Sequence, residues 1–542
     1  MNARAVIILA ALAVSCALAG RLLYHYFQLE SYQFPGFFRT LKRNLLRSII
    51  PGLILMLIWA VSAVILANYG NNISDWIIIP AESAVLILSG WIIGKLTSEK
   101  NAKKPLAFTP RMKRLYVVSI LLFFVLLLLL AFAGKSYYPV SSGYTVNALI
   151  AFCLLFPFFL PVSIALAGLL AWPLEKLISE LYFRDAQNIL RERPDLIKIG
   201  ITGSWGKTSV KFILGTILSE KYPTLVTPAS FNTPMGVTKI IRTKLEPRHR
   251  VFVAEMGARH VGDIKEMCRL VHPQIGIITS VGPQHLDTFK TVERVAKTKY
   301  ELVQALPKDG MSFFSDDKGL CLELYNRTKK DKTISGLDPE TDDVWAENIR
   351  VSPDGSEFLL CRGHEKKLCR TELLGEISIR NILLAASVCL KIGMSMEQTA
   401  RGISRIRPVE HRLQLTRSSG GITVIDDAFN SNIIGAGQAF RVLKEFPSRR
   451  IVVTPGMVEL GDMEVEMNRE LGRQMAECCD VAVLVGVKRS APIEEGLREK
   501  GFPEGNIHIA ASLEEAAEWI RRNAISGDTV LFENDLPDNY TE

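Results

Sequence analysis

The sequence predicts an α-helical membrane region followed by an α/β region with a P-loop parallel-sheet central domain and a Rossmann-like C-terminal domain. The excess of hydrophobic residues lies almost wholly before about residue 175. A strand, a glycine-containing loop and a helix follow near residue 200, and short apolar strands then alternate with helical segments. Because 542 residues exceed one domain, we expect a membrane region, a central ATP-binding domain and a C-terminal domain at 1–175, 176–400 and 401–542.

Five apolar runs are long enough to cross a bilayer, at roughly 4–20, 48–68, 76–94, 115–133 and 145–173. The first could be a signal peptide, since Ala17-Leu18-Ala19 resembles a cleavage site, but the charge pattern favours a retained anchor. Arginines and lysines cluster after the first and third runs, whereas the other two connections are nearly uncharged. Because positive loops stay in the cytoplasm, we expect a multi-pass plasma-membrane protein with its N-terminus outside and its catalytic domains in the cytoplasm.

The apolar runs contain almost no ionisable residues, which disfavours a transporter or a proton channel. The membrane region is therefore either a plain anchor in the lipid bilayer or a platform that presents a membrane-bound substrate. The net charge is +8, and the positions of the charged residues are more informative than this total. We expect no nucleic-acid partner. The cysteines show no disulfide-like spacing and indicate a reducing compartment. Cys361, His364 and Cys369 are interpreted as parts of a hairpin rather than as a metal cluster.

The segment Ile197–Thr202 is a β-branched run that predicts a buried strand, and a helix-like segment covers Val210–Leu218. Between them lies a loop with the pattern T-G-x-x-G-K-[ST], made of Gly203, Ser204, Trp205, Gly206, Lys207, Thr208 and Ser209. In a P-loop the backbone N–H groups and the helix N-terminus bind phosphate oxygens. The loop therefore predicts a site for ATP, in which Lys207 reaches the β- and γ-phosphates and Thr208 binds Mg²⁺.

Further motifs follow this loop, and together they resemble those of the Mur ligase family over about residues 197–475. Within the family they are most similar to the ligases that add D-alanyl-D-alanine to a muramoyl tripeptide. The matching segments include Ser230–Val237, Val253–Ala258, Ser280–Leu286, Ala296–Glu301, Pro408–Gln414, Val424–Asn432 and Thr454–Gly461.

The resemblance implies two Mg²⁺ sites. Glu255, at a predicted strand end, would hold one ion against the phosphates together with Thr208. His285, which would end a predicted strand at Ile275–Val281, would bind the second. Lys299 is implied as a carbamylated lysine and an anionic Mg²⁺ ligand; Lys297 is the alternative, as is an unmodified lysine in an ion pair.

In the third domain the resemblance implies that Asn381 contacts adenine, that Arg412 reaches the transferred phosphate, and that Asp427 and Asn430 hold the nucleotide. A helix cap and a turn are the alternative for the last two. The sequence departs from the family pattern at a few positions, namely Ile377, Ser378, Asn468 and Glu533-Asn534-Asp535.

The activity implied is that of an ATP-dependent acid–amino-acid ligase that works through an acyl phosphate in peptidoglycan precursor synthesis. Lys207, His285, Lys299 and Arg412 would be the catalytic residues. The partners would be ATP, a carboxylate acceptor, and an amine that is an amino acid or a dipeptide such as D-alanyl-D-alanine. Five apolar runs occupy the place of the UDP-sugar-binding domain of the relatives. A lipid-linked acceptor is therefore an alternative to a UDP-linked one. The alternatives are a ligase for another membrane polymer, similar to poly-γ-glutamate synthases, and a nucleotide-binding membrane scaffold without turnover.

Overall fold

The computed structural model describes residues 3–69, 74–98, 105–137, 156–229, 231–352, 354–417, 420–428, 433–458 and 460–535. These residues form two compact units that divide between Glu180 and Leu181. Each unit has hydrophobic cores of its own.

The first unit is helical in its described residues. Its helices are α1 Ala3–Ala19, α2 Arg21–Leu29, α3 Phe34–Arg43, α4 Leu45–Tyr69, α5 Asp75–Thr97, α6 Pro110–Tyr137 and the part of α7 Leu160–Arg191 up to Glu180. By length and composition, four of them could cross a membrane, and the bent pair α1–α2 would make a fifth span. Part of the predicted run at 145–173 lies outside the described residues. The segment between the first two predicted runs forms α2 and α3, two helices that the apolar pattern did not predict.

Small residues let the helices of this unit approach closely. A Cβ atom on Gly90 would lie 2.3 Å from the Ser15 carbonyl oxygen, and one on Gly94 would lie 2.1 Å from that of Leu18. Both glycines belong to α5 and face α1, so any larger side chain there would force the helices apart. Close packing through small residues is typical of helices that associate in a bilayer.

The second unit begins with a nine-stranded sheet in the order β2-β3-β1-β4-β5-β6-β7-β8-β9. The pairs from β2 to β7 are parallel, and β7, β8 and β9 form an antiparallel meander. The strands are β1 Ile197–Thr202, β2 Thr224–Val226, β3 Val251–Glu255, β4 Ile275–Ile278, β5 Met311–Ser315, β6 Asp331–Gly336, β7 Val344–Ser352, β8 Gly355–Arg362 and β9 Glu365–Thr371.

Helices cover both faces of the parallel part, which is why β3 and β4 are buried throughout and β1 is buried over its last four residues. These helices are α8 Lys207–Leu218, α9 Pro234–Lys244, α10 Asp263–Val271, α11 Leu286–Phe289, α12 Val292–Ala305, α13 Leu320–Arg327, α14 Gly375–Lys391 and α15 Met396–Ser404. Helices α8 and α14 share one core with the sheet, whereas α9 and α10 belong to the core on the opposite face. The carboxyl ends of β1, β3 and β4 therefore meet at one edge.

A second sheet has the order β10-β11-β15-β12-β13-β14, parallel except for β10. Its strands are β10 Gln414–Arg417, β11 Thr423–Asp427, β12 Arg450–Thr454, β13 Val481–Val485, β14 Ile507–Ala510 and β15 Thr529–Glu533. The helices between them are α16 Ile433–Lys444, α17 Glu464–Ala476, α18 Ala491–Glu499 and α19 Leu513–Asn523. The α/β class predicted for this half of the chain is confirmed.

Candidate active site

The loop between β1 and α8 has the backbone geometry of a P-loop. Gly206 has a φ of 80°, and a Cβ atom on Gly203 would lie 2.1 Å from Thr279 Oγ1, so both positions require glycine. Lys207 begins α8, and its Nζ donates hydrogen bonds to the carbonyl oxygens of Gly203 (2.7 Å) and Ser204 (3.0 Å). The lysine ammonium group thus lies over the loop that precedes it.

Burial lowers the pKa of Lys207 to about 8. The nearby carboxylate of Glu255 acts in the opposite direction, and the positive charge of Arg412 lowers the pKa further. A charged phosphate beside Lys207 would restore the protonated form.

The segment after β4 supports the P-loop from one side. Ser204 donates its backbone N–H to the Ser280 carbonyl oxygen (3.0 Å) and its hydroxyl to the Gly282 carbonyl oxygen (3.0 Å). The backbone N–H of Trp205 donates to Ser280 Oγ at 2.8 Å. The indole ring of Trp205 packs on Gly282: a Cβ atom at that position would lie only 2.4 Å from the ring. Ser204 and Trp205 therefore position the loop, and their contact with a nucleotide stays a prediction, as does that of Ser209.

Glu255 ends β3, and three side chains converge on its carboxylate. The Thr208 hydroxyl donates to Oε1 at 3.2 Å, the Asn232 amide donates to Oε1 at 3.2 Å, and Lys211 Nζ donates to Oε2 at 2.9 Å. Glu255 is 1% exposed and the Lys211 side chain is fully buried. Burial alone raises the pKa of Glu255, but Lys211 and Lys207 lower it more, so the net shift is downward and the carboxylate stays ionised.

The oxygens of Thr208 and Glu255 fit a Mg²⁺ ion that is completed by phosphate oxygens and water. A protein site for Mg²⁺ commonly supplies only one or two ligands of its own. The described residues contain no group of three or more His, Cys, Asp and Glu side chains that could hold a metal without such outside ligands.

Lys211 and Asn232 were not among the predicted site residues. A signal for Lys211 was present, because it lies one helical turn after Lys207 in an otherwise apolar helix. Asn232 had a weaker signal, since it precedes Thr233, whose side chain caps α9 by accepting the N–H of Gly236.

The structure distinguishes the two candidate lysines of α12. Lys299 is 2% exposed, whereas Lys297 lies on the exposed face. Burial and the charge of Lys207 bring the pKa of Lys299 well below its usual value, against the opposite effects of Asp263 and Glu301. A neutral amine is the form that reacts with carbon dioxide, so Lys299 is the better candidate for carbamylation. The modification itself stays a prediction.

The prediction that His285 ends a strand is wrong. Strand β4 ends at Ile278, and His285 lies in the following loop, where it precedes the short helix α11 with a φ of 51°. The chain leaves the sheet after Ile278 because the Thr279 and Ser280 hydroxyls donate to the Trp205 carbonyl oxygen of the P-loop. The assignment of His285 to a second Mg²⁺ stays a prediction.

Arg412 and Asp427 belong to the domain of the second sheet. Arg412 lies two residues before β10, and Asp427 ends β11. Burial raises the pKa of Asp427 to about 6, opposed by Arg412, and the carboxylate accepts the backbone N–H of Leu413 at 3.1 Å. Burial lowers the pKa of Arg412, while Asp427 and Glu255 raise it. The positive charge of Arg412 in turn lowers the pKa of Lys207 and of Lys211. Asn430 lies outside the described residues.

Three further positions are Asn381, a predicted adenine contact, and Asn468 and Glu533, where the sequence departs from the family pattern. The Asn381 side chain in α14 lies against the P-loop, with Oδ1 3.0 Å from a Cβ position on Gly206, and its contact with adenine stays a prediction. Asn468 is buried and holds the loop after β12: Oδ1 accepts the Met457 N–H at 2.8 Å, and Nδ2 donates to the Met457 carbonyl oxygen at 3.0 Å. Glu533 ends β15 directly beside Asp427 at the end of β11.

Comparisons with known proteins place this site in a family. Residues 201–389 match the Mur ligase middle domain, and residues 411–533 match the Mur ligase, glutamate ligase domain. The chain is 32% identical over 345 residues to the UDP-N-acetylmuramoyl-tripeptide–D-alanyl-D-alanine ligase of Mycobacterium tuberculosis, which covers 61% of this chain and 66% of that protein. The protein of the same name from Bacillus subtilis is 27% identical over 62% of this chain and 72% of its own length.

Solved structures agree with the fold. MurF from Acinetobacter baumannii matches with a TM-score of 0.60 at 24% identity, over 67% of this chain and 78% of the other. MurF from Thermotoga maritima in complex with ADP matches with a TM-score of 0.59 at 22% identity, over 66% and 80%. The chain spans about two thirds of the length of its mycobacterial relatives, 66%. The two matched domains together cover more than half of the chain, including the P-loop and the second sheet, and the chain belongs to the Mur ligase family.

Proposed function

We propose that the chain is an ATP-dependent peptide ligase of peptidoglycan precursor synthesis that works through an acyl phosphate. The observation that carries the proposal is the convergence of Lys207, Thr208 and Glu255 at the P-loop, with Arg412 near enough to shift the pKa of Lys207. This arrangement places cationic groups from two domains beside the position of a transferred phosphoryl group. The names of the relatives support the same reaction class.

In the first step an oxygen of the acceptor carboxylate attacks the γ-phosphorus of ATP, and ADP leaves. In the second step the amine nitrogen attacks the acyl carbon, the bond to phosphate breaks, and the nitrogen loses a proton. Lys207 and Arg412 neutralise the charge that develops on the phosphoryl oxygens. Thr208 and Glu255 would hold Mg²⁺, which supplies electrostatic stabilisation of the phosphates. Lys211 and Asn232 keep the Glu255 carboxylate ionised and oriented.

For the substrates, we propose D-alanyl-D-alanine or a similar amine, because the relatives are named for that dipeptide. The acceptor is a muramoyl peptide, and the apolar N-terminal unit supports one that is carried by a membrane lipid. The localisation we propose is the plasma membrane, with the N-terminus outside and the ligase domains in the cytoplasm, as the distribution of positive loops indicates.

The test is ADP release by the full-length protein in lipid nanodiscs, with ATP, an acceptor and D-alanyl-D-alanine. We expect release to depend on both the acceptor and the amine, and to fall by at least about a hundredfold in Lys207→Met, because an electrostatic group of this kind typically contributes that much. Lys244→Met, an exposed lysine of α9, is the matched control and should behave like the original protein. ADP release without any need for an amine would contradict the ligase proposal.

A second candidate is a ligase that extends another membrane-associated polymer. It is favoured by Glu533-Asn534-Asp535 at the end of β15, where the resemblance to the D-alanyl-D-alanine ligases fails. Turnover with glutamate as the amine, and none with D-alanyl-D-alanine, would favour this candidate over the first.

A further inference from the structure

The loop before β10 carries a histidine directly before Arg412, the predicted contact of the transferred phosphate. His411 has a φ of 59° and Leu413 a φ of 44°, so two of three consecutive residues adopt the left-handed conformation. A Cβ atom disfavours this conformation, and strain of this kind occurs preferentially at functional sites. The Asp427 carboxylate stabilises the turn by accepting the Leu413 N–H at 3.1 Å.

A carboxylate of β11 orients the imidazole of His411. Nδ1 lies 2.7 Å from Asp426 Oδ2, and the other oxygen of Asp426 accepts the Ala428 N–H at 3.1 Å. Because an ionised carboxylate only accepts hydrogen bonds, Nδ1 carries the hydrogen, and the neutral ring has its lone pair on Nε2. Nε2 approaches Glu410 Oε1 only to 3.9 Å, which is too long for a hydrogen bond. The side chain is 50% exposed, so a bound molecule can reach it.

Acidic groups from three parts of the domain act on this imidazole. Asp426 belongs to β11, Glu410 precedes the histidine, and Asp535 follows β15. The hydrogen bond to Asp426 has the largest effect on the pKa of His411 and raises it, partial burial lowers it, and the three carboxylate charges raise it further. The net pKa is above its ordinary value, which makes His411 a stronger base. The same carboxylates attract a cation such as a protonated amine.

The proposed ligation needs a base close to the acyl phosphate. An α-amino group has a pKa of about 8 and is mostly protonated at neutral pH, and in that form it cannot attack carbon. Lys207 and Arg412 are assigned to the phosphate as cations, so neither would take the proton. His411 adjoins Arg412, with the two Cα atoms about 3.8 Å apart across a trans peptide. It also lies at the carboxyl end of β11, the edge at which α/β sheets bind ligands.

We propose that His411 is the general base that deprotonates the amine substrate, and that Asp426 positions it. Nε2 takes one proton from the ammonium group, and the electron pair that this frees forms the bond to the acyl carbon. The bond between that carbon and the phosphate oxygen breaks, its electron pair stays on the phosphate, and the phosphate takes the second proton from nitrogen. The exposed imidazolium returns its proton to water. The inference rests on the proposed function, because it concerns the second step of that reaction.

The experiment compares two amines with the full-length protein in lipid nanodiscs, with ATP and a muramoyl peptide acceptor. D-alanyl-D-alanine arrives mostly protonated, whereas hydroxylamine is neutral at neutral pH and needs no base before it attacks. We expect His411→Gln to lower turnover with D-alanyl-D-alanine by about a hundredfold or more, the usual contribution of a general base. Formation of the hydroxamate from hydroxylamine should stay nearly unchanged. His364→Gln is the matched control, because His364 is an exposed histidine in the turn between β8 and β9, and it should behave like the original protein with both amines.

The pH profile distinguishes a base from a structural residue. In the original protein, turnover with D-alanyl-D-alanine should fall as the pH decreases through the pKa of His411, because the imidazolium accepts no proton. Asp426→Asn removes the carboxylate that raises this pKa, so the fall should move to lower pH. Relative to the original protein, the defect of His411→Gln should shrink above about pH 8, where the amine is itself neutral.

Equal losses with both amines in His411→Gln would overturn the inference, because a structural defect does not distinguish between them. An acid limb that is the same in His411→Gln and in the original protein would overturn it as well. No turnover of either amine by the original protein would contradict the proposed function and this inference together. Hydroxamate formation by the original protein, with equal losses in the variant, would contradict this inference alone.

Discussion

Lys211 and Glu255 form an ion pair that is almost wholly removed from water, with the Lys211 Nζ 2.9 Å from Glu255 Oε2. Lys211 also donates to the Ala229 carbonyl oxygen at 2.5 Å, so the lysine joins α8, β3 and the loop after β2. Breaking a buried pair by removing one partner is costly because the other charge stays buried. The pair therefore matters both for stability and for the charge state of the carboxylate that would hold Mg²⁺.

We expect Lys211→Met to lower the free energy of unfolding by about 3–5 kcal/mol, the usual effect of leaving a buried charge unpaired. Chemical denaturation followed by tryptophan fluorescence measures it. The double variant Lys211→Met with Glu255→Gln should recover part of the loss, because no unpaired charge remains. Equal stability of the single variant and the original protein would show that the pair contributes nothing.

Lys299 is expected to carry a carbon dioxide adduct. Its burial and the lowered pKa favour the neutral amine, and the carbamate would be an anion close to the positive charge of Lys207. Intact-protein mass measured under bicarbonate should show the adduct, and Lys299→Ala should abolish it. Lys297→Ala, on the exposed face of the same helix, should retain it. An adduct that persists in Lys299→Ala would place the modification elsewhere.

The pKa of about 8 for Lys207 predicts a pH dependence of nucleotide binding. A bound phosphate favours the protonated form of Lys207. ATP binding therefore takes up a proton at pH values at which Lys207 is neutral in the free protein. Affinity for ATP should therefore be constant below about pH 7 and fall by up to about tenfold per unit above pH 8, the slope for one linked proton. Calorimetric titration in two buffers of different ionisation enthalpy measures the proton uptake. In Lys207→Met the uptake above pH 8 should disappear, and its persistence would assign the proton to another group.

At the scale of elements, the loop after β12 depends on a side chain from α17. Asn468 makes two hydrogen bonds with Met457 and donates a third to the Glu464 carbonyl oxygen at 2.9 Å. Its Oδ1 also lies 2.6 Å from a Cβ position on Gly456, which therefore has to be glycine. The departure from the family pattern at this position has a structural role, since it fixes the loop to the helix.

We expect Asn468→Ala to lower the free energy of unfolding by about 2–3 kcal/mol, because buried backbone groups of Met457 lose their partners. Thermal unfolding with and without ATP measures the change. Asn523→Ala is the control: Asn523 is exposed, and its side chain donates one hydrogen bond, to the Trp519 carbonyl oxygen within α19. A loss of the same size in both variants would contradict a specific role for the buried amide.

The elements that sequence predicted well are those with strong local patterns. Strand β1 and helix α8 follow from a β-branched run and a glycine loop. The end of β4 was placed too late because Val281 follows the apolar run after only two polar residues. The hydroxyls of those residues, Thr279 and Ser280, donate to the Trp205 carbonyl oxygen. Contacts such as Lys211–Glu255 depend on strand order, which no local pattern contains.

The whole molecule combines a unit of apolar helices with a unit that carries both ligase domains. Four helices, or five with the bent pair, have the length and composition of membrane spans. Residues Ser74 and Ser98 flank α5 at its two ends. If α5 crosses the membrane, these two positions lie on opposite sides, and the charge rule places Ser98 in the cytoplasm beside the basic segment.

We therefore expect a membrane-impermeant maleimide to label the Ser74→Cys variant in intact cells and to leave the Ser98→Cys variant unlabelled. Both variants should react after the cells are permeabilised, which controls for accessibility. The background should be low, since all eight cysteines in the described residues are buried. Labelling of Ser98→Cys but not of Ser74→Cys would reverse the orientation and place the ATP site outside the cell, where ATP is scarce. Labelling of both in intact cells would show that α5 does not span the bilayer.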